Sequence, residues 1–251
     1  MRSSVIALPY RAAMTKQERW NSVYVPDMFL HDSQPQRRDI MADELIFYTN
    51  PMSRGQIVRW MLEEVGAPYE PRILDYGTTM KEAAYLAVNP MGKVPAIVHN
   101  GKVVTECAAI CAYLADAFPD KGLAPALTGR ADYYRWLFFT AGPVEQAITA
   151  KMFGFEPDAE QQRMAGFGSL AAALDALESA VSGKSFIAGD HFSAADVYVG
   201  SQIDWGLQFG TIASRPAFEA YIAPLRERVA YKRAKDIDNA LIAEMQAANP
   251  A

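Results

Sequence analysis

Tyr48, Thr49, Asn50, Ser53 and Arg54 crowd one short stretch of the chain. It lies between the apolar run Leu45-Ile46-Phe47 and a segment in which Ile57, Val58, Met61, Leu62 and Val65 recur at helical spacing before Gly66. A hydroxyl or guanidinium at the end of a strand and the start of a helix can stabilise an anion, and the helix macrodipole acts in the same sense. Each of these residues also has an ordinary structural use: Ser53 as a helix cap, Tyr48 as a half-buried strand aromatic with a wet hydroxyl, Arg54 as a solvated cation. A second group lies between Asn89 and Asp116. Val94-Pro95 leads into the apolar run Ala96-Ile97-Val98, His99-Asn100-Gly101 is a hairpin signal of the Asn-Gly type, and Lys102-Val103-Val104 returns antiparallel. Thr105-Glu106-Cys107 then opens a helix whose apolar residues Ala109, Ile110, Tyr113, Leu114 and Phe118 recur at three and four.

The two cysteines, Cys107 and Cys111, are four residues apart on that helix and share a face, which rarely suits a disulfide. With no CxxC and no Cys/His cluster, no metal site is expected, and a reducing cytoplasm fits best. The chain has 251 residues, 51% of them hydrophobic and 21% charged, which suits one or two domains with sizeable cores. A formal charge of −5 argues against nucleic acid or an anionic membrane as partner. No apolar run approaches the length of a membrane span.

The elements that must position these groups follow in order. Residues 1–42 lack sustained periodicity and are expected to be a disordered extension or a misplaced start, with a docking segment as the alternative. Leu45 to Tyr48 reads as a strand, a helix runs from about Ser53 to Gly66, and Tyr69 to Leu74 is a second strand entered through Ala67-Pro68. With the hairpin and the helix after it, the order is β-α-β-α-β-β-α. From Arg130 the chain is helical: Tyr133, Trp136, Leu137, Thr140 and Val144 form one face, with Pro143 expected to bend or end that helix. Leu170 to Val181 forms another helix. Ser193-x-x-Asp196 is a capping-box start, and segments from Arg215 to Val229 and from Tyr231 to about Met245 complete the helices.

The order Asn89-Pro90-Met91-Gly92-Lys93-Val94-Pro95, hairpin, Thr105-Glu106-Cys107 and amphipathic helix resembles the second half of the thioredoxin-like domain of glutathione transferases, and the resemblance extends over about 43–235. It implies an α/β thioredoxin-like glutathione-binding domain at 43–119 and an all-α C-terminal helical bundle at 126–247, the glutathione transferase fold. It further implies a cis Val94-Pro95 bond that leaves the Val94 N–H and C=O for the cysteinyl part of the peptide, as an added strand would bind. Glu106 would take the peptide's ammonium and the helix amides at Cys107 its α-carboxylate. Lys93 would be a cation beside the peptide, and Lys81 either a partner for the glycyl carboxylate or a solvated lysine.

A transferase must stabilise the thiolate, the nucleophilic form of glutathione. Serine-type classes resemble this chain in Met52-Ser53. Tyrosine-type classes align without a gap from Tyr48 to Trp60, so Ser53 and Tyr48 both stand as the donor. No cysteine occupies this loop, a departure from the cysteine-type classes, and Cys107 stands where the family usually has serine. Its position at a helix start also admits a lowered pKa and oxidation or glutathionylation there. The implied activity is attack of the thiolate on a small hydrophobic electrophile by a cytoplasmic homodimer, as in detoxification, with glutathione as co-substrate and no metal. The electrophile would lie against the first helix of the second domain, near Tyr133, Tyr134, Trp136, Phe138 and Phe139. The rivals are a glutathione-dependent peroxidase or disulfide reductase, and a binding module without catalysis.

Overall fold

The computed structural model describes residues 44–248, so the expected extension at 1–42 lies outside the described residues. The first half runs β1 (Leu45–Thr49), α1 (Gly55–Val65), β2 (Glu70–Ile73), α2 (Ala83–Leu86), β3 (Ala96–His99), β4 (Lys102–Thr105) and α3 (Cys107–Ala117). This is the expected β-α-β-α-β-β-α order. The strands form one mixed sheet in the order β2-β1-β3-β4. β1 pairs parallel with β2 and antiparallel with β3, with Tyr48 opposite Ala96, and β3 pairs antiparallel with β4 through the Asn100-Gly101 turn.

Strand side chains alternate between faces, and β1 shows what this does. Leu45, Phe47 and Thr49 are buried, whereas Ile46 and Tyr48 are half-buried. Phe47, with Ile97, joins the cluster formed by α1 and α3. Tyr48 packs on the opposite face with Met80, Tyr85, Leu74 and Val94. Gly66 stops α1 in a left-handed conformation, its N–H bonded to the Leu62 carbonyl.

The second half is helical, as expected: α4 (Ala131–Phe139), α5 (Glu145–Met152), α6 (Gln161–Met164), α7 (Leu170–Val181), α8 (Ala194–Gln208), α9 (Pro216–Arg226) and α10 (Val229–Ala248). Pro143 neither ends nor separates α4 and α5. It sits in a wider π-type turn, Thr140–Val144, that joins them, and such a turn absorbs the missing proline N–H. α8 is buried along most of its length and begins with the expected capping box. Asp196, fully buried, accepts from the Ile187 and Ser193 N–H groups at 2.7 and 2.8 Å and from the Ser193 and Tyr221 hydroxyls at 3.0 and 2.7 Å. Burial raises its pKa and these four donors oppose the rise.

α1 holds the halves together, because the same apolar cluster includes residues of the sheet, of α1 and of α8 and α9. α10 runs back along α1. At their contact Arg59 Nε donates to Asp238 Oδ1 at 2.7 Å, with both side chains 1% exposed. The guanidinium also lies over the Phe47 ring and donates to the Tyr69 hydroxyl. Arg228 adds a two-pronged pair with Glu64 at 2.6 and 2.7 Å.

Candidate functional site

The loop after β1 is organised by Asn50, whose side chain is used at both ends. Its Nδ2 donates to the Leu74 carbonyl at 2.8 Å and its Oδ1 accepts from the Met52 N–H at 2.9 Å. Its carbonyl accepts from the Ser53 N–H at 3.0 Å and from the Ser53 hydroxyl at 2.6 Å. Ser53 Oγ in turn accepts from the Gly55 N–H at 2.9 Å. Gly55 lets this loop sit down on β1, since a Cβ there would lie 1.9 Å from Thr49 Oγ1 and 3.0 Å from Ser53 Oγ. Thr49 and Asn50, both buried, are therefore scaffold.

α3 brings its N-terminus to the same loop. Cys107 is buried, and its thiol points at the Arg54 carbonyl 3.6 Å away. Burial pushes the Cys107 pKa well up, so the expectation that the helix start would lower it is overturned: desolvation outweighs the macrodipole here. Glu106, which precedes Cys107, has φ of 69° and is exposed. A residue other than glycine in this region is held there by its surroundings, and the carboxylate has no ion-pair partner among the described residues.

The third side is the turn before β3. The Val94-Pro95 bond is cis, as the resemblance implies, and β3 pairing begins only at Ala96. Among the described residues no hydrogen bond engages the Val94 N–H or C=O. The turn is fixed from behind. The Lys93 carbonyl accepts from the Tyr85 hydroxyl at 2.6 Å and from Asn89 Nδ2 at 2.7 Å, and burial pushes the Tyr85 pKa up to about 12, which keeps it a donor. Lys81, an exposed residue, donates from Nζ to the Gly92 carbonyl at 2.8 Å and braces this loop. Gly92 is needed at φ of 56°, where a Cβ would meet the Met80 carbonyl at 2.8 Å. Lys93 itself is exposed.

Of the two donors left open by the sequence, Ser53 lies on the loop that meets α3. Tyr48 turns to the other face of the sheet, with its ring 5.3 Å from that of Tyr85. Arg54 pairs with Glu145 of α5 at 3.1 Å. Glu145 also accepts from the Tyr198 hydroxyl at 2.5 Å and Gln202 Nε2 at 2.6 Å. Burial first, then the Glu145 carboxylate, raises the Tyr198 pKa and holds the phenol protonated.

A cavity of about 940 Å³ opens beside this loop, from Met52 and Gln56 to Trp205, Phe209, Lys235 and Ile242. None of the aromatic residues of α4 lines it; Tyr133, Trp136 and Leu137 are buried in the core. The sequence did not single out Glu145, Trp205 or Lys235, because none carries a local motif. Gly55, directly after Ser53-Arg54, was the available hint of a close approach. Among the described residues no group of three His, Cys, Asp or Glu side chains could hold a metal, and no helix is long and apolar enough to cross a membrane.

Comparison with known proteins returns one family for both halves. Residues 52–117 match the model of the glutathione S-transferase N-terminal domain, and residues 146–205 match that of the C-terminal domain. Glutathione S-transferase GstA of Escherichia coli O157:H7 is 30% identical over 164 residues, covering 64% of this chain and 78% of that protein. A crystal structure of a glutathione transferase from Methylococcus capsulatus superposes with a TM-score of 0.64 at 29% identity, covering 78% of this chain and 99% of the other. A Sulfitobacter homologue with bound glutathione gives 0.63 at 26%, covering 77% and 97%.

Proposed function

The chain belongs to the glutathione S-transferase family and is a glutathione transferase, and from that premise we propose that Ser53 holds the thiolate while it attacks a small hydrophobic electrophile. The observation that carries this is the meeting of the Ser53 loop with the N-terminus of α3, marked by the 3.6 Å contact from Cys107 to the Arg54 carbonyl. Glutathione would lie against this junction. Its cysteinyl backbone pairs with the unused N–H and C=O of Val94 beside Pro95, its ammonium meets Glu106, and its α-carboxylate meets the amide of Cys107 at the start of α3. Cys107 thus contributes backbone and not sulfur. Lys93, exposed on the turn, lends positive charge to the peptide's outer end.

Ser53 can turn its hydrogen from the Asn50 carbonyl to the sulfur without orphaning that carbonyl, which keeps the Ser53 N–H. The Gly55 N–H continues to donate to Ser53 Oγ, which strengthens the hydroxyl as a donor to an anion. Tyr48 is the weaker candidate because its ring packs against Tyr85 on the sheet face opposite α1. The electrophile fits the cavity beside Met52, with Trp205 and Phe209 as its apolar wall.

The same reading divides the chain into a glutathione-binding half at 43–119 and a helical half at 126–247. It makes the protein a homodimer, supported by Tyr134 and Phe138, apolar side chains one turn apart on α4 that are left exposed. Both cysteines are free thiols, which supports a reducing, cytoplasmic location.

The test is a pH titration of the ultraviolet thiolate band of bound glutathione in the parent, Ser53→Ala and Tyr48→Phe. A pKa below that of free glutathione, raised by Ser53→Ala alone, is the expected result. A rise in Tyr48→Phe alone would transfer the role to Tyr48. Phe138→Asp should shift the sedimentation of a dimer toward the monomer.

A further inference from the structure

Among the described residues four charged side chains line the cavity, and they are not equally committed. Asp204 of α8 is nearly buried and accepts from Arg226 Nε at 2.7 Å and from the Tyr231 hydroxyl at 2.5 Å. Glu219 lies 3.9 Å from the same Arg226 and accepts from the Ser214 hydroxyl. One turn beyond Tyr231, Lys235 has no carboxylate within ion-pair distance among the described residues. Its Nζ donates to a neutral group, Gln56 Oε1, at 3.0 Å and lies 5.6 Å from the centre of the Tyr231 ring. The other end of the Gln56 amide donates to the Pro51 carbonyl at 2.6 Å. The ammonium is thereby tethered to the loop that carries Ser53.

We propose that Lys235 selects electrophiles that carry an anionic group, a carboxylate on an aromatic or conjugated body. This deepens, and rests on, the reading of the cavity as the electrophile site. Met52, next to Ser53 in the chain, and Gln56, in the first turn of α1, both line the cavity, so the cavity adjoins the loop that carries Ser53. Trp205 and Phe209 offer apolar faces to the ligand's body. An ammonium has three donors, and a carboxylate would satisfy those that Gln56 leaves. Groups facing Lys235 are Gln56 from α1, Asp204 from α8, Arg226 from α9, and Tyr231 and Asp238 on its own helix. Burial lowers the Lys235 pKa against the pull of Asp204 and Asp238, which is the expected state of a cation without its counter-ion.

The experiment compares 4-chloro-3,5-dinitrobenzoate with 2-chloro-1,3-dinitrobenzene, the same ring without the carboxylate, in the parent, Lys235→Met and Lys235→Arg. In each reaction the glutathione sulfur bonds to the ring carbon, chloride leaves with the C–Cl pair, and the thiol proton goes to solvent. Lys235→Met should raise KM for the benzoate about tenfold or more, leave KM for the neutral ring and for glutathione unchanged, and be largely rescued by Lys235→Arg. Calorimetry with the unreactive pair 3,5-dinitrobenzoate and 1,3-dinitrobenzene reads the same discrimination without turnover. Equal effects on both probes, or no preference for the acid in the parent, would overturn the proposal. Should neither chloride be conjugated, the thiolate chemistry fails for aryl halides, while the calorimetric pair still decides the role of Lys235.

Discussion

The wall proposed for glutathione and the cavity beside it are built in different ways. The first is made largely of backbone: the free edge at Val94, the N-terminus of α3 and a loop pinned by Asn50, with Glu106 and Lys93 as its charged side chains. The second is made of side chains from α1, α8, α9 and α10, with Gln56 and Lys235 meeting 179 residues apart in the chain. A backbone site recognises a peptide whatever the neighbouring side chains are. A side-chain site can be rewritten one residue at a time, so the ligand common to a family belongs to the first and the individual substrate to the second.

Four substitutions would break or sharpen this contrast. The largest effect is expected for Asp238→Ala, which leaves the Arg59 guanidinium buried without its carboxylate at a cost of about 3–5 kcal/mol in urea unfolding. A loss under about 1 kcal/mol would mean that this pair does not anchor α10. Next comes Glu106→Ala, which should weaken glutathione by about 2–3 kcal/mol, one charge-assisted contact, without changing the affinity of an aryl probe in the cavity. If titration calorimetry finds glutathione bound as tightly as by the parent, the ammonium is held elsewhere. Gly55→Ala forces a methyl toward Thr49 Oγ1, 1.9 Å away, and should cost about 1–3 kcal/mol of stability. A thermally unaltered Gly55→Ala protein would show that the loop is looser than its hydrogen bonds suggest. The smallest effect belongs to Arg54→Ala. Its pair with Glu145 is half-exposed on the arginine side, so stability should change by about 1 kcal/mol or less. A larger loss would make this pair a true joint between the halves.

The glutathione side was legible because its signals are local. Asn100-Gly101 encodes a turn, Pro95 interrupts a strand, Glu106-Cys107 opens a helix, and Ser193 with Asp196 caps another; each acts within a few residues. The reason for preferring Ser53 to Tyr48 was not legible, because the face of Tyr48 follows from strand pairing in β1 and the place of the Ser53 loop from its packing against α3. The desolvation of Cys107 was not legible for the same reason. Its place at a helix start is written in the sequence, but its burial against the Arg54 carbonyl is not, and burial dominates its acidity. The aromatic residues of α4 suggested a substrate pocket by composition alone, but Tyr133 and Trp136 went into the core and Tyr134 and Phe138 stayed exposed outside the cavity.

By itself, then, the sequence determined the order of elements, the turns and caps that bound them, and the segment proposed to meet the peptide. Periodicity and turn chemistry need no partner beyond the next few residues. The tertiary structure decided that the Ser53 loop meets α3, that both thiols are desolvated and which charges share the cavity. α10 had first to return along α1, and that return rests on the buried pair of Arg59 with Asp238, on the Arg228–Glu64 pair and on apolar packing. Desolvation and long-range charge pairing depend on three-dimensional neighbours, and residues far apart in the chain become neighbours only when the core closes.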